Sequence, residues 1–505
     1  MPAPVEIEIK LAANPAAMMA LSAQPALAGA DRTATLYTSW FDTADRRLQS
    51  QGAMLRVRES NNGFEQTLKL AGPTGSRVRR LEWNGAVPGA DPEPALLPPT
   101  ARQRLAELIG DQTLVPLGTA RVERRERDVV FGSSTLAVAF DSGTIDAGGE
   151  SRPVSEVELE VVAGSLADAL RLALQLPLGP DLYWSARSKS ERGAALVQGV
   201  HLPAVGARSP CLRADMSAVV ALHALAWNAL EHLLANYSLV IVDGSPEGVH
   251  QTRIALRRLR VALKLFRPIP KDCPSRVLRA ALGTVSRSIA PARALYVLRM
   301  KLAEAADAAG IDAPALFAHL DARLLHETLS ARDVQVSTEF QRLLFETALW
   351  AEEGGRTSHH HAAAKPPSLR KIGADALDRI HRDLRHRHCR LAKIPEEQRH
   401  RIRLDAKHLR YATGFLESAW PHARGRRKFA RALASLQDSL GELNDHAERL
   451  RLREYLLQSV EPSQSARIAD EFDAILALLA EPDHTALTDA QRAFDWLVKA
   501  EPWWR

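Results

Sequence analysis

Hydrophobic and charged residues alternate strictly at the start of the chain, in the segment Val5-Glu6-Ile7-Glu8-Ile9-Lys10. Successive side chains of a β-strand point to opposite faces, so this period predicts a charged face with Glu6, Glu8 and Lys10 and an apolar face opposite. Two carboxylates and an ammonium in one row can hold a divalent metal ion and an anion side by side. An ordinary amphipathic strand with a solvated charged face is the alternative for this segment alone.

Short segments of the same kind recur through the first 200 residues, bounded by Gly, Asn, Pro or Ser, and they predict further strands. Charged residues again share strand faces: Arg56 with Arg58, and Glu156 with Glu158 and Glu160. In an ordinary barrel the apolar faces fill the interior. Here we expect the apolar faces to pack outward against helices and the charged faces to surround a polar lumen, which a polyanion and its metal ion would neutralise. Salt bridging across a half-exposed sheet is the alternative.

From Met216 onward the hydrophobic period becomes that of helices, and Ala, Leu and Arg dominate. We therefore predict three regions: a strand-rich domain over 1–200, a linker over 201–215 that contains Leu-Pro, Gly and Ser-Pro, and a helical domain over 216–500. The segment 354–367 is predicted to be an exposed loop. Its histidines, His359 to His361, have no carboxylate or Cys at a spacing that would complete a metal site.

Basic residues recur at intervals of three and four in two parts of the helical region. The first set is His250, Arg253, Arg257, Arg260 and Lys264, and the second is His400, Arg403, Lys407 and Arg410. Such spacing places each set on one stripe of a helix. Like charges in a row repel unless an anion lies between them, so a cationic groove is favoured over a solvated face. The constant offset of 150 residues indicates an internal duplication, with two similar helical bundles.

Composition narrows the possible partners. A chain of 505 residues with 46% hydrophobic and 25% charged residues is expected to form two to four globular domains. The net charge of +6 and the isoelectric point of 9.3 favour a polyanionic partner. Aromatic residues make up only 5% of the chain, which argues against a stacking platform for single-stranded nucleic acid.

The same composition bears on location. The most apolar stretch, from Met216 to Val242, is interrupted by His223, Glu231 and His232, so we expect no membrane-spanning helix. The start of the chain lacks the apolar core of an export signal. Three widely spaced cysteines fit the reducing cytoplasm, where we expect the protein to reside.

The first 200 residues resemble the CYTH domain, the triphosphate tunnel family. The Glu-x-Glu-x-Lys opening of that family is complete as Glu6, Glu8 and Lys10. Further motifs follow in family order: Leu55-Arg56-Val57-Arg58, Gln66-Thr67-Leu68-Lys69, Arg80 with Glu82, Arg124, Asp141-Ser142-Gly143, the row Glu156, Glu158 and Glu160, and Ser188-Lys189-Ser190-Glu191-Arg192-Gly193. The resemblance implies an α+β domain built on an eight-stranded antiparallel tunnel barrel, with Lys and Arg binding phosphates and Glu holding metal.

The resemblance also implies a chemistry, the metal-dependent hydrolysis of inorganic tripolyphosphate to diphosphate and phosphate. The catalytic residues would be Glu6, Glu8, Lys10, Arg56, Arg58, Lys69, Glu82, Arg124 and Lys189. The ligands of Mg²⁺ or Mn²⁺ would be Glu6, Glu8, Asp141, Glu158 and Glu160. Action on a nucleotide or on thiamine triphosphate remains open, since the tunnel family includes such enzymes.

Residues 216–500 resemble the CHAD domain, the conserved-histidine α-helical domain. The resemblance rests on the two basic stripes and on Leu436-Gln437-Asp438 through Asn444-Asp445, and it implies an all-α bundle with an internal pseudo-twofold repeat that binds polyphosphate. The first repeat departs from the family, because Arg293-Ala294-Leu295-Tyr296 lacks two expected acids. We expect tripolyphosphate and longer polyphosphate as partners, in the cytoplasm or at polyphosphate granules. A non-catalytic polyphosphate-binding protein is the alternative, and nucleic acid has weaker support because no base-reading residues stand out.

Overall fold

The computed structural model describes residues 4–72, 76–198, 203–266, 273–353, 367–458, 460–479 and 484–505. The loop with His359 to His361 and the first residues of the predicted linker lie outside these ranges. The chain forms two compact units. The barrel unit comprises residues 1–206, 230–243 and 333–354, and the helical unit comprises residues 207–229, 244–332 and 355–505.

Eight antiparallel strands of the barrel unit close into a ring, which confirms the predicted barrel. The ring strands are β1 (Val5–Ala13), β2 (Arg32–Thr43), β3 (Met54–Ser60), β4 (Gly63–Ala71), β5 (Arg79–Val87), β6 (Leu114–Phe131), β7 (Ser134–Ala147) and β8 (Glu150–Ala163), and the short strand β9 (Leu182–Trp184) follows them in the chain. Their order is β5-β4-β3-β2-β6-β7-β8-β1, and β1 closes the ring by pairing with β5. The short strand β9 joins β1 as a ninth strand.

The apolar strand faces point outward, as the alternating pattern predicts. Ile9 and Leu11 of β1 and Leu159 of β8 are fully buried. The first five helices are α1 (Pro15–Ser22), α2 (Arg47–Ser50), α3 (Pro99–Ile109), α4 (Leu166–Gln175) and α5 (Lys189–Gln198). Helix α4 packs against four strands, including β1 and β8. This helical cover removes the apolar faces from water and leaves the charged faces to the lumen.

The remaining helices confirm the all-α region and its internal repeat. They are α6 (Ala218–Asp243), α7 (Pro246–Leu265), α8 (Cys273–Ser288), α9 (Ala290–Ala309), α10 (Pro314–Val336), α11 (Thr338–Glu353), α12 (Leu369–His386), α13 (Glu396–Leu416), α14 (Arg426–Leu457), α15 (Pro462–Leu476) and α16 (His484–Lys499). Helices α7 and α13 begin 150 residues apart and pack against each other. The separate helices α8 and α9 correspond at this offset to the single long helix α14.

Two segments of the helical region belong to the barrel unit, namely residues 230–243 of α6 and residues 333–354 around α11. Phe345 of α11 stacks on Trp184 of β9 with 4.3 Å between ring centroids, and the Gln341 side chain accepts a hydrogen bond of 2.9 Å from the Trp184 amide. Helix α6 is long and apolar enough to cross a membrane by length and composition alone, and 72% of its apolar window is buried within the protein.

Candidate active site and anion-binding cavity

Charged residues of neighbouring strands lie side by side on the same face of the barrel wall. The strand register pairs Lys10 with Glu158, Glu8 with Glu160, Lys69 with Glu82, and Arg124 with Asp141. Residues opposite each other in an antiparallel pair carry their side chains on the same face. These eight tunnel residues inferred from the sequence therefore lie on the inner face of one barrel. The carboxylates of the tunnel form two groups, each with its own cations.

The first group, Asp141, Glu156 and Glu158, surrounds the ammonium of Lys189. Carboxylate oxygens of the three acids lie within 4.8 Å of one another, and the acids are almost completely buried. The Lys189 Nζ atom is 2.6 Å from Asp141 and 3.0 Å from Glu158, and it also contacts Glu156. Arg124 forms two hydrogen bonds to Asp141 and a further one to Glu158.

These cations determine the ionisation of the first group. Burial alone would raise the pKa of Glu158, but Lys10, Lys189 and Arg124 together hold it well below its ordinary value. The pKa of Asp141 is lowered in the same way, against burial, by Lys189 and Arg124. Glu158 and Asp141 are thus ionised, and all three carboxylates of the group are closely paired with cations.

The second group, Glu6, Glu8, Glu82 and Glu160, has fewer cations. Lys69 contacts Glu6 at 2.6 Å and Glu82 at 2.9 Å, and Lys10 contacts Glu8 at 2.7 Å. Against the effect of burial, Lys69 and Arg56 lower the pKa of Glu82 to about 2. This acid is therefore charged and holds Lys69 in place.

Glu160 has no ion-pair or hydrogen-bond partner among the described residues. Its side chain is exposed to solvent, yet the surrounding barrel atoms and the charges of Glu6 and Glu8 raise its pKa to about 7. Burial and the neighbouring charge of Glu158 also raise the pKa of Glu8, and one buried carboxylate oxygen of Glu6, Oε2, has no hydrogen-bond partner. Carboxylates at Glu6, Glu8 and Glu160 repel each other, and a divalent cation would relieve that repulsion.

These observations fit a Mg²⁺ or Mn²⁺ ion held by Glu6, Glu8 and Glu160, because hard cations prefer carboxylate oxygens. The remaining ligand candidates from the sequence, Asp141 and Glu158, are contacted by more cations, namely Lys189, Arg124 and Lys10. Together with Glu156, their oxygens also lie close enough to one another to share a metal ion. Glu156, which belongs to the same carboxylate row of β8, completes the cage around Lys189. Its period-two spacing to Glu158 was the available signal.

Arg58 is the tunnel cation that lacks a carboxylate partner among the described residues. Its Nε atom donates a weak hydrogen bond of 3.4 Å to Thr38 Oγ1. Burial and the charges of Arg56 and Arg124 lower its pKa to about 9, which leaves the guanidinium charged at neutral pH and short of anionic contacts. Such a group is suited to bind a phosphate oxygen.

The helical unit contains a cavity of about 340 Å³ lined by both basic stripes. The stripe residues that line it are His250, Arg253 and Arg257 from α7, and Arg403 and Lys407 from α13. Arg293 and Lys301 of α9 and Arg449 of α14 add three cations, against the two carboxylates of Asp445 and Glu448. One of these acids, Asp445, is paired with Lys301 at 2.7 Å. The cavity therefore carries an excess of positive charge.

The cavity lowers the pKa values of its own cations. Burial and the charges of Arg403 and Arg257 lower the pKa of Lys407 to about 8, and burial with Arg257 and Arg293 lowers that of Arg253 to about 10. Burial and Arg293 also lower the pKa of His250. These directions are those expected when like charges converge on a site that an anion would complete.

Four stripe residues do not line this cavity. Arg260 lies beside Gly283 of α8, and Lys264 donates to His408 Nδ1 at 3.2 Å. His400 Nδ1 is 2.7 Å from Asn444 Oδ1, and Arg410 donates to Gln437 at 3.3 Å. The stripes are therefore longer than the cavity.

The sequence did not identify Lys301 and Arg449 as cavity residues. They lie on α9 and α14, outside both basic stripes. Arg293 appeared in the sequence only within the altered motif of the first repeat. The signal that could have found Lys301 is its spacing of eight residues, about two helical turns, from Arg293.

Comparisons with known proteins agree with the division of the sequence into a strand-rich and a helical part. The family model described as CYTH domain matches residues 5–194, and that described as CHAD domain matches residues 224–454. An inorganic triphosphatase of Haemophilus influenzae is 32% identical over 197 residues, which cover 38% of this chain. The chain spans about half, 54%, of the length of this curated relative.

Two solved structures are also similar to the chain. The CHAD domain from the plant Ricinus communis is 26% identical, with a TM-score of 0.49, and the match covers 58% of this chain and 97% of that one. A protein from Hippeastrum assigned as an adenylyl cyclase, and described as having a dominant triphosphatase activity, is 23% identical with a TM-score of 0.30. That match covers 39% of this chain and 98% of the other.

Proposed function

The chain belongs to the CYTH family through residues 5–194 and to the CHAD family through residues 224–454, and from this we propose that it is a metal-dependent inorganic triphosphatase with a polyphosphate-binding helical domain. The observation that carries the proposal is the closed barrel whose inner face combines a carboxylate, Glu160, and a guanidinium, Arg58, that both lack an ionic partner among the described residues. A metal ion and a phosphate chain would supply these two partners. The similarity to an inorganic triphosphatase supports the same activity.

The cations of the tunnel bind and orient the triphosphate. Lys10, Arg56, Arg58, Lys69, Arg124 and Lys189 neutralise its oxygens, including the oxygen on which charge grows when the terminal phosphoanhydride breaks. Water attacks the terminal phosphorus, and diphosphate leaves. Glu82 acts through two of these cations and not on the phosphates themselves. It orients them by its contacts at 2.9 Å to Lys69 and 4.0 Å to Arg56.

Glu6, Glu8 and Glu160 would hold the metal ion, and the bound ion would supply positive charge that offsets the negative charge of the phosphates. The cage of Asp141, Glu156 and Glu158 has a different role in this proposal. It holds the Lys189 ammonium in the lumen, so that this cation is already ordered when the substrate enters. Preordered charge avoids a reorganisation cost during the reaction.

The first experiment is phosphate release from tripolyphosphate, ATP and thiamine triphosphate, each with and without Mg²⁺ or Mn²⁺. We expect release from tripolyphosphate that chelation of the metal abolishes. Preferential release from ATP or thiamine triphosphate would instead assign the tunnel to those substrates. If none of the three substrates releases phosphate but the protein retains long polyphosphate, the chain is a non-catalytic polyphosphate-binding protein.

We propose that the cavity of the helical unit binds polyphosphate, supported by its excess of cations over carboxylates. Replacing Arg403 by Ser should weaken the binding of long-chain polyphosphate, measured by retention at fixed ionic strength. The matched control is Arg401→Ser, which removes the same charge from an exposed position of the same helix. Equal losses of polyphosphate retention in both variants would show that only the net charge matters. They would contradict specific binding in the cavity.

The partners that follow from these two sites are tripolyphosphate and longer polyphosphate. A cytoplasmic location, including polyphosphate granules, is part of the proposal. It is tested by imaging a tagged full-length chain against a polyphosphate stain, where exclusion from the stained granules would contradict the association.

A further inference from the structure

Helix α5, which carries Lys189, begins with a capping box. Ser188 Oγ accepts a hydrogen bond of 3.2 Å from the Glu191 amide, and Glu191 Oε2 accepts one of 2.8 Å from the Ser188 amide. Lys189 is the first helical residue after this cap. A capping box fixes the angle at which the chain enters a helix, so the position of Lys189 depends on that of Glu191.

Arg77 holds this cap from outside the helix. Its Nη1 atom donates to Glu191 Oε1 at 2.8 Å and to the Ala186 carbonyl at 3.0 Å. One bond therefore reaches the first turn of α5, and the other reaches the short segment that leads into the helix. Arg77 lies in the connection between β4 and β5, far from α5 in sequence, so the cap depends on how that connection is held.

A buried carboxylate of helix α6 holds the connection. Glu231 is only 7% exposed, and both of its oxygens are used: Oε1 accepts from Ser76 Oγ at 2.5 Å and Oε2 from the Arg77 amide at 2.7 Å. The Ser76 hydroxyl in turn accepts from the Val78 amide at 3.2 Å, and the Val78 carbonyl accepts from the Glu8 amide at 3.0 Å. The same carboxylate thus supports the backbone of a tunnel acid.

We propose that Glu231, although it lies within the CHAD match, is a positioning residue for Lys189 in the tunnel. The path runs from its carboxylate to Arg77, from Arg77 to Glu191 of the cap, and from the cap to Lys189, and all of it lies within the barrel unit. Asp243 at the end of the same helix adds a second tie, because it contacts Arg187 at 2.5 Å just before the cap. Only the kinetic part of the test rests on the proposed function.

The structural part of the test is amide hydrogen exchange along α5 in the full-length chain. In Glu231→Gln the amide side chain cannot accept from both Ser76 and Arg77, so we expect faster exchange across residues 189–198. The matched control is Glu353→Gln, which removes the same charge from a surface pair with Arg171 in the same unit. Unchanged exchange of α5 in a folded Glu231→Gln variant overturns the proposal, whatever the activity. If that variant does not fold, Ser76→Ala breaks the same path more mildly.

The kinetic part is a double-mutant cycle on phosphate release from tripolyphosphate. We expect Glu231→Gln to lower kcat by about 10- to 100-fold, as changes at residues that orient active-site groups commonly do. In the background of Lys189→Met the same change should cost little more, because the cation that Glu231 positions is already absent. Additive losses would mark a general destabilisation and overturn the positioning role. A wild-type chain that releases no phosphate would refute the proposed function, while the exchange result would still stand.

Discussion

At the scale of single residues, the tunnel is organised by which charges have partners. Lys189 contacts three carboxylates, whereas Glu160 and Arg58 have no ionic partner among the described residues. In a closed barrel with such uneven pairing, the ion-paired side chains stabilise the tunnel itself. The charged side chains without an ionic partner remain available to bind a ligand.

Replacing Glu8 by Gln should abolish metal-dependent turnover and leave the fold intact. The side chain keeps its shape but loses the charge that would hold the ion, and the loss of mutual repulsion with Glu158 and Glu6 offsets the lost pairing with Lys10. Phosphate release and thermal unfolding of the purified variant provide the measurement. Undiminished release would remove Glu8 from the metal site.

The helical cavity should take up protons when it binds polyphosphate near pH 8. The pKa of Lys407 is lowered to about 8, so the free side chain is partly neutral there, and a bound polyanion favours the charged form and raises the pKa. Affinity should therefore fall as pH rises through 8. His250 contributes only at lower pH, because its pKa lies below its ordinary value.

Calorimetry in two buffers of different ionisation enthalpy measures this proton uptake. The control is Lys407→Arg, which keeps the positive charge at pH 8 and should bind with much smaller uptake. Equal uptake in both proteins would assign the protons to another group.

At the scale of secondary structure, the strands could be predicted from the sequence and the cavity only in part. The alternation around Glu6 and Glu8 is local, and each strand carries its own evidence for which face is charged. The cavity instead depends on how α7, α9, α13 and α14 pack. Lys301 and Arg449 enter it from helices without a basic stripe, and Lys264 lies on the stripe but bonds to His408.

Close strand pairing restricts one glycine of the family motif. A Cβ atom at Gly143 of β7 would lie 2.0 Å from the Arg121 carbonyl oxygen of β6. Replacement by Ala should force β6 and β7 apart and lower the free energy of unfolding by about 1–3 kcal/mol. The control is Gly89→Ala, since a Cβ there meets no atom within 4 Å. Denaturant titration of both variants gives the comparison, and an equally stable Gly143→Ala would contradict the close approach.

At the scale of the whole chain, the compact units do not follow the sequence halves. The period of the pattern changes near Met216, yet residues 230–243 and 333–354 belong to the barrel unit. Their attachment depends on contacts such as Glu231 with Ser76 and Phe345 with Trp184, which join residues more than 150 positions apart. No local pattern marks such contacts, so a boundary drawn from composition alone misses them.

The barrel unit should therefore be weakened by a change in helix α11. Replacing Phe345, which is fully buried, by Ala removes the ring that covers Trp184 and should cost about 3–5 kcal/mol. Tryptophan fluorescence during denaturant unfolding of the full-length chain provides the measurement. The control is Val130→Ala at a strand position that is 78% exposed, where little change is expected. Equal stability of the two variants would contradict a structural role of α11 in the barrel unit.

The pairing of the first strand with the eighth has a consequence for biosynthesis. Glu8 of β1 is synthesised before its register partner Glu160 of β8, which lies about 150 residues later in the chain. At 5–20 residues per second β1 waits roughly 8–30 s for this pairing. The contacts of α11 come later still. During this interval the edge of β1 that later pairs with β8 can meet wrong partners, and we expect the nascent chain to depend on chaperones that cover strand edges.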